Sequence, residues 1–137
     1  MSTIFSKIVS GEISAYKVAE SNDFLAFLDV SPLTKGHVLV IPKRETDYIF
    51  DINDDEYMAL WVFSKIVAQG IQLVFPCEKI GVAVIGLEVA HAHIHLVPLN
   101  NVSDLNFSRP RLSLTHEEFT EISEAIKESI INITTGN

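Results

Sequence analysis

The sequence predicts an α+β domain whose strands form an antiparallel sheet, and three observations carry that prediction. Short runs of strand-forming residues cluster with brief turns between them, as in Tyr16–Ser21 and Phe24–Val30 around Ser21-Asn22-Asp23. Two helix starts carry capping chemistry, at Asn53 with Glu56 and at Thr115 with Glu118. The chain lacks the regular strand–helix alternation and the Gly-x-Gly-x-x-Gly turn of a doubly wound parallel sheet. With 137 residues, 47% of them hydrophobic, the chain reads as one domain, residues 1–137, with enough apolar side chains for a core.

Taken in order, Ile4–Ser10 is amphipathic over one or two helical turns and Gly11 ends it. Tyr16–Ser21 and Phe24–Val30 are the first two strands. Pro32 and Gly36 bracket a loop, and His37–Ile41 is a third strand stopped by Pro42. Asn53 caps a helix that runs to about Val74, and Asp54, Asp55 and Glu56 suit its positive end. Met58, Trp61, Val62, Ile66 and Leu73 fall near one stripe, read as the inward face, with Trp61 a core or interface residue. Ile80–Ile85 and His93–Leu99 are the fourth and fifth strands, joined by Gly86–Ala90. Asn100–Ser113, with Phe107, Arg109 and Arg111, reads as a solvated loop; the alternative is that its arginines reach a phosphate or a second chain. Thr115 then opens a helix through about Ile130, with His116 exposed in its first turn and 134–137 a loose tail.

Composition excludes several roles. A formal net charge of −8 argues against nucleic-acid binding, which runs on clustered Lys and Arg. The first residues lack a basic start followed by an apolar leader, and no apolar run approaches the ~18 residues that span a bilayer. A soluble, cytoplasmic protein with no membrane partner is expected. Cys77 is alone, so no disulfide forms within the chain, and it reads as a small half-buried residue.

The strongest chemical signal is His91-Ala92-His93-Ile94-His95, three of the chain's five histidines on alternate positions. In a strand these would share one face, roughly 6–7 Å apart, with Ala92, Ile94 and Leu96 turned into a core. Imidazoles so placed serve as nucleophile and acid–base groups, as metal ligands, or as individually satisfied structural groups.

The triplet followed by two apolar residues resembles the histidine triad (HIT) family, as do three other segments. Ile4–Ile13 is similar to the family's opening segment, Leu25–Pro32 to the strand lining its nucleotide pocket, and Gly36–Lys43 to the following strand with a fourth histidine, His37. The resemblance spans about Ile4–Leu99. It implies a five-stranded antiparallel sheet with one long helix and a C-terminal helix, paired as a homodimer. It also implies a purine nucleotide substrate attacked at its α-phosphorus, a phosphoramidate or dinucleotide polyphosphate, with no cofactor and no metal. His93 would be the nucleophile, with His91, His95 and His37 orienting or protonating. Ile4, Phe5, Ile8, Phe27 and Val30 would hold the base and Asp29 the ribose hydroxyls. A covalent nucleotidyl-histidine would form, a second imidazolium would protonate an amine leaving group, and N–H groups near Gly86–Ala90 would steady phosphoryl oxygens.

The chain departs from the family pattern at named positions. Thr3 and Ser6 stand where many bacterial relatives carry a zinc-binding Cys-x-x-Cys, so no zinc is expected there. Around the phosphate, Ala83 replaces a usual Asn, Leu87 a usual Gln, and Glu88 a Ser found in some relatives. Ala83 and Leu87 support a second reading, a nucleotide-binding regulatory module with little turnover; a third is a metal-dependent enzyme using the triad as ligands.

Overall fold

The computed structural model describes residues 2–136 and places five strands in one sheet: β1 Lys17–Glu20, β2 Phe24–Leu28, β3 Val38–Pro42, β4 Lys79–Ala83 and β5 Ile94–Leu99. They lie in the order β1-β2-β3-β5-β4, and every neighbouring pair is antiparallel. Three helices accompany them, α1 Ile4–Ser10, α2 Asp54–Val74 and α3 His116–Thr135, with short 3-10 turns at Ile49–Asp51 and Val102–Leu105.

Alternation along β2 and β3 divides the molecule into two cores. Ala26, Leu28, Val38 and Val40 join Ala92, Ile94 and Leu96 on the face that α2 and α3 cover. Leu25, Phe27, Leu39 and Ile41 face the other way and pack with Phe5 and Ile8 of α1. Both faces of these strands are therefore buried, so their sequences read as unbroken apolar runs. The second face also receives the histidines, because Leu39 pairs with His95.

The helix starts follow the capping residues. Thr115 and Glu118 form a reciprocal capping box, whereas at Asn53 only half of the expected box exists: its side chain accepts from the Glu56 N–H. The predicted inward stripe of α2 is wrong. Met58, Val62 and Leu73 are 57%, 59% and 69% exposed, while Leu60, Ser64, Val67, Gly70 and Ile71 are buried. Trp61 and Ile66 pack at the margin of the core. One of the buried positions is glycine because α3 crosses close by: a Cβ on Gly70 would collide with Ile130. Gly70→Val should therefore lower unfolding free energy by roughly 1–3 kcal/mol in urea titrations, the usual cost of overpacking. An unchanged stability would refute that close crossing.

Among the described residues α2 is the one helix long and apolar enough to cross a bilayer, although no unbroken apolar run of that length exists. Its Leu60, Val67 and Ile71 are fully buried against the sheet and α3. Helix α3 continues past Ile130 to Thr135, closed by Gly136 in the left-handed conformation, so the expected loose tail is helical through Thr135. Asn137, its last residue, lies outside the described residues.

Candidate active site

Strand β5 begins at Ile94, so His91 and His93 precede the ladder instead of forming part of it. The cause is Pro42. Pairing of β3 with β5 runs from Val38–Leu96 to Val40–Ile94, and two residues further on Pro42 offers no N–H. Its free carbonyl instead accepts from His91 Nε2 at 2.8 Å, while the Ala92 N–H turns to Thr46 O at 2.7 Å. The three imidazoles still share one side of the sheet. Their spacing is tighter than a strand predicts, with the His93 and His95 ring centroids 4.9 Å apart.

Hydrogen bonds to backbone groups assign the proton on each neutral ring, since a carbonyl only accepts and an amide N–H only donates. His91 donates from Nε2 to Pro42 O, so its Nδ1 accepts from the Thr3 hydroxyl at 3.1 Å. Both nitrogens are used and the ring is fully buried. Burial also pushes its pKa down. His91 is absent from the cavity wall and acts as a brace between α1 and the chain around Pro42.

His93 donates from Nδ1 to the His91 carbonyl at 2.8 Å. Its Nε2 therefore carries the lone pair, and it has no partner among the described residues. Phe5 packs edge-on against this ring at 4.9 Å. The Leu33 N–H donates to His37 Nδ1 at 3.0 Å, which puts the His37 proton on Nε2, 3.0 Å from His95 Nδ1. His95 must then accept at Nδ1 and carry its own proton on Nε2. A directed relay of donors results, ending on His95.

Burial, with the neighbouring His95 and Arg111 adding to it, pushes His37 down to about 3. Burial, then the adjoining His93 and Arg111, pushes His95 to about 4. Neither ring is an imidazolium near neutral pH. The expected imidazolium donor is thus replaced, for this pair, by a neutral N–H.

These groups border a cavity of about 710 Å³, a common size for a small-ligand site. Ile4, Phe5, Ile8, Phe27 and Val30 lie on its wall at the apolar end. Asp29, Leu87, Glu88, His93 and His95 also border it, whereas His37 stands behind His95. Asp29 accepts the Ser31 N–H at 2.8 Å through Oδ1, and its Oδ2 is 3.6 Å from His37 Nε2. Burial raises the Asp29 pKa, against the pull of that N–H and of Arg111. Leu87, 90% exposed, sits at the rim, just after Gly86 at φ +70°.

Two cavity residues come from the segment read as a solvated loop. Phe107 packs edge-on against His95 at 4.8 Å, and Arg111 reaches Ser31 O at 2.6 Å. Arg109 instead holds Ser103 O and Asp104, away from the cavity. No local pattern announces these contacts, because the partners lie 12 and 80 residues away in the chain.

For metals, Asp29, His37 and His95 present ligand atoms within 4.8 Å of one another. A cation there would have to displace the proton between the two rings. At the positions of the zinc-binding cysteines, Thr3 and Ser6 form the capping box of α1, and Thr3 also holds His91. Hydroxyls committed to such bonds do not fit a zinc site, which takes thiolate, imidazole or carboxylate.

The HIT domain model matches residues 10–102. The chain is 33% identical over 136 residues to the adenosine 5'-monophosphoramidase of Schizosaccharomyces pombe, covering 95% of this chain and 99% of that one. Among solved structures, a zinc-bound histidine triad family protein from Mycobacterium smegmatis superposes with a TM-score of 0.85 at 26% identity, over 100% of this chain and 99% of that one. A hypothetical histidine triad nucleotide-binding protein from Sulfolobus tokodaii gives 0.81 at 27% identity, over 95% and 93%. With its triplet, its sheet order and these matches agreeing, the chain belongs to the histidine triad (HIT) family.

Proposed function

We propose that the protein is a nucleotide hydrolase or transferase that attacks the α-phosphorus of a nucleoside phosphate derivative through His93. The observation that carries this reading is the His93 tautomer: Nδ1 is tied to the His91 carbonyl, so Nε2 is the free base on a ring bordering the cavity. Relatives bearing the name adenosine 5'-monophosphoramidase support the same chemistry.

In this mechanism the base lies against Phe5, Ile8 and Phe27, and Asp29 accepts the ribose hydroxyls. The His93 Nε2 lone pair forms a P–N bond as the bond from phosphorus to the leaving group breaks, its electron pair leaving with that group. The neutral His95 Nε2–H donates to a phosphoryl oxygen, and the N–H groups of Gly86 to Val89, which have no backbone partner among the described residues, can do the same. A phosphate departs as an anion, while an amine takes its proton from solvent. Water then attacks phosphorus and gives a proton to solvent as the P–N bond breaks, its electron pair returning to Nε2 and the nucleotide leaving.

The neutral His37–His95 pair also favours a second reading, a nucleotide-binding regulatory module with little turnover, because no imidazolium is held ready for a poor leaving group. Incubation with an adenosine phosphoramidate, with and without chelator, separates the possibilities. We expect chelator-resistant release of AMP. Tight nucleotide binding without release would favour the regulatory module, and activity lost to chelator and restored by zinc would replace both with a metal enzyme.

A homodimer is part of the same proposal. β4 is an edge strand with unpaired backbone groups on its outer side, and Val82 on it is exposed. Met58 and Val62 add exposed apolar surface on α2, which packs beside that strand.

A further inference from the structure

We propose that Arg111 is the residue that recognises the phosphate charge, an assignment that rests on the nucleotide reading above. The segment after β5 crosses back over the histidine side of the sheet and is fastened there. Asn100 and Asn101 donate their N–H groups to Asp104, and the Leu112 N–H donates to Pro32 O at 2.9 Å. Phe107 lies against His95 and His37, and the Arg111 guanidinium sits 5.3 Å from the centre of the Phe107 ring. Both chain and aromatic ring thus hold the arginine at the cavity wall.

Charge makes its role specific. Histidines aside, the acidic and basic side chains on that wall are Asp29, Glu88 and Arg111. His95 stays neutral at physiological pH, as does His37 behind it. A nucleotide phosphate entering past two carboxylates, in a chain of net charge −8, meets one fixed cation. That cation is also under-used. Nη1 donates to Ser31 O and lies 4.0 Å from Asp29 Oδ2, while Nε and Nη2 have no partner among the described residues. A guanidinium with free donors beside His95 is suited to bidentate contact with phosphate oxygens.

The test compares AMP with adenosine, using calorimetry or ligand-observed NMR on the full chain. Arg111→Gln should weaken AMP binding roughly 10- to 100-fold, the usual scale of a lost charge-assisted contact, and leave adenosine binding unchanged. Arg111→Lys, keeping the charge but losing the planar fork, should fall between. Equal AMP affinity in wild type and R111Q overturns the assignment while leaving the nucleotide reading intact. Parallel loss of both ligands overturns it too, by showing that Arg111 merely holds Ser31 and Asp29 in place. Wild-type protein that binds neither compound overturns both this assignment and the nucleotide reading.

Discussion

His93→Ala should lower turnover by roughly 10⁴-fold or more, the scale seen when a nucleophile is deleted, while AMP binding stays nearly unchanged. The separation follows from the ring's surroundings. His93 is held by Phe5 on one side, by His95 on another, and by the His91 carbonyl at Nδ1. Its removal leaves the apolar wall, Asp29 and Arg111 in place, so ground-state contacts persist when the attacking nitrogen is gone. Single-turnover release of AMP from a phosphoramidate, set beside the AMP dissociation constant, measures the two effects. In the wild type, denaturation at alkaline pH should trap a nucleotide adduct on His93 for mass spectrometry. A His93→Ala protein that cleaves at the wild-type rate would remove the covalent mechanism.

Acid should unfold the protein through buried imidazoles before ordinary carboxylates titrate. His37 and His95 are held near 3 and 4, against 6.5 when unfolded, so below pH 6.5 the unfolded chain binds more protons than the folded one. Stability is therefore full above about pH 6.5 and is lost as pH falls toward those folded values. Between pH 7.5 and pH 5 the two rings together should cost about 4 kcal/mol, at about 1.4 kcal/mol per unit for each. Of the groups facing them, His93 and Arg111 push both values further down, and the one carboxylate is Asp29, whose Oδ2 lies 3.6 Å from His37 Nε2. Burial raises the Asp29 pKa, so it takes up its proton more readily in the folded chain, and this adds some stability as acid is added. Urea titrations at the two pH values give the difference directly. Equal midpoints would mean that the pair is protonated in the folded protein and the donor relay is misassigned.

The order of elements was legible because local chemistry set it. Asn53 and Thr115 cap the two long helices, and apolar runs beside turn residues mark the strands. The identity of the histidine face was legible from alternation alone. Its geometry was not, because the break in the ladder depends on Pro42, forty-nine positions from His91 in sequence. The inward face of α2 was misread for a related reason. Gly70 went inside where α3 crosses, a site with no room for a side chain, while Met58 and Leu73 stayed out. Phe107 and Arg111 carried no periodic signal, and only the return path of the chain over the sheet brings them to His95 and Asp29.

The hydrogen bonds that fasten the first helix to His91 use only oxygen and nitrogen groups: the Thr3 hydroxyl on the imidazole, with Ser6 completing the turn. Such a joint has no sulfur to oxidise and no ion to surrender. Peroxide and zinc starvation therefore have no chemical target at this joint, which sits beside the His91 carbonyl that accepts from His93 Nδ1. Cys77 is the only thiol, and it borders a different hollow, beside Phe75 and Pro98.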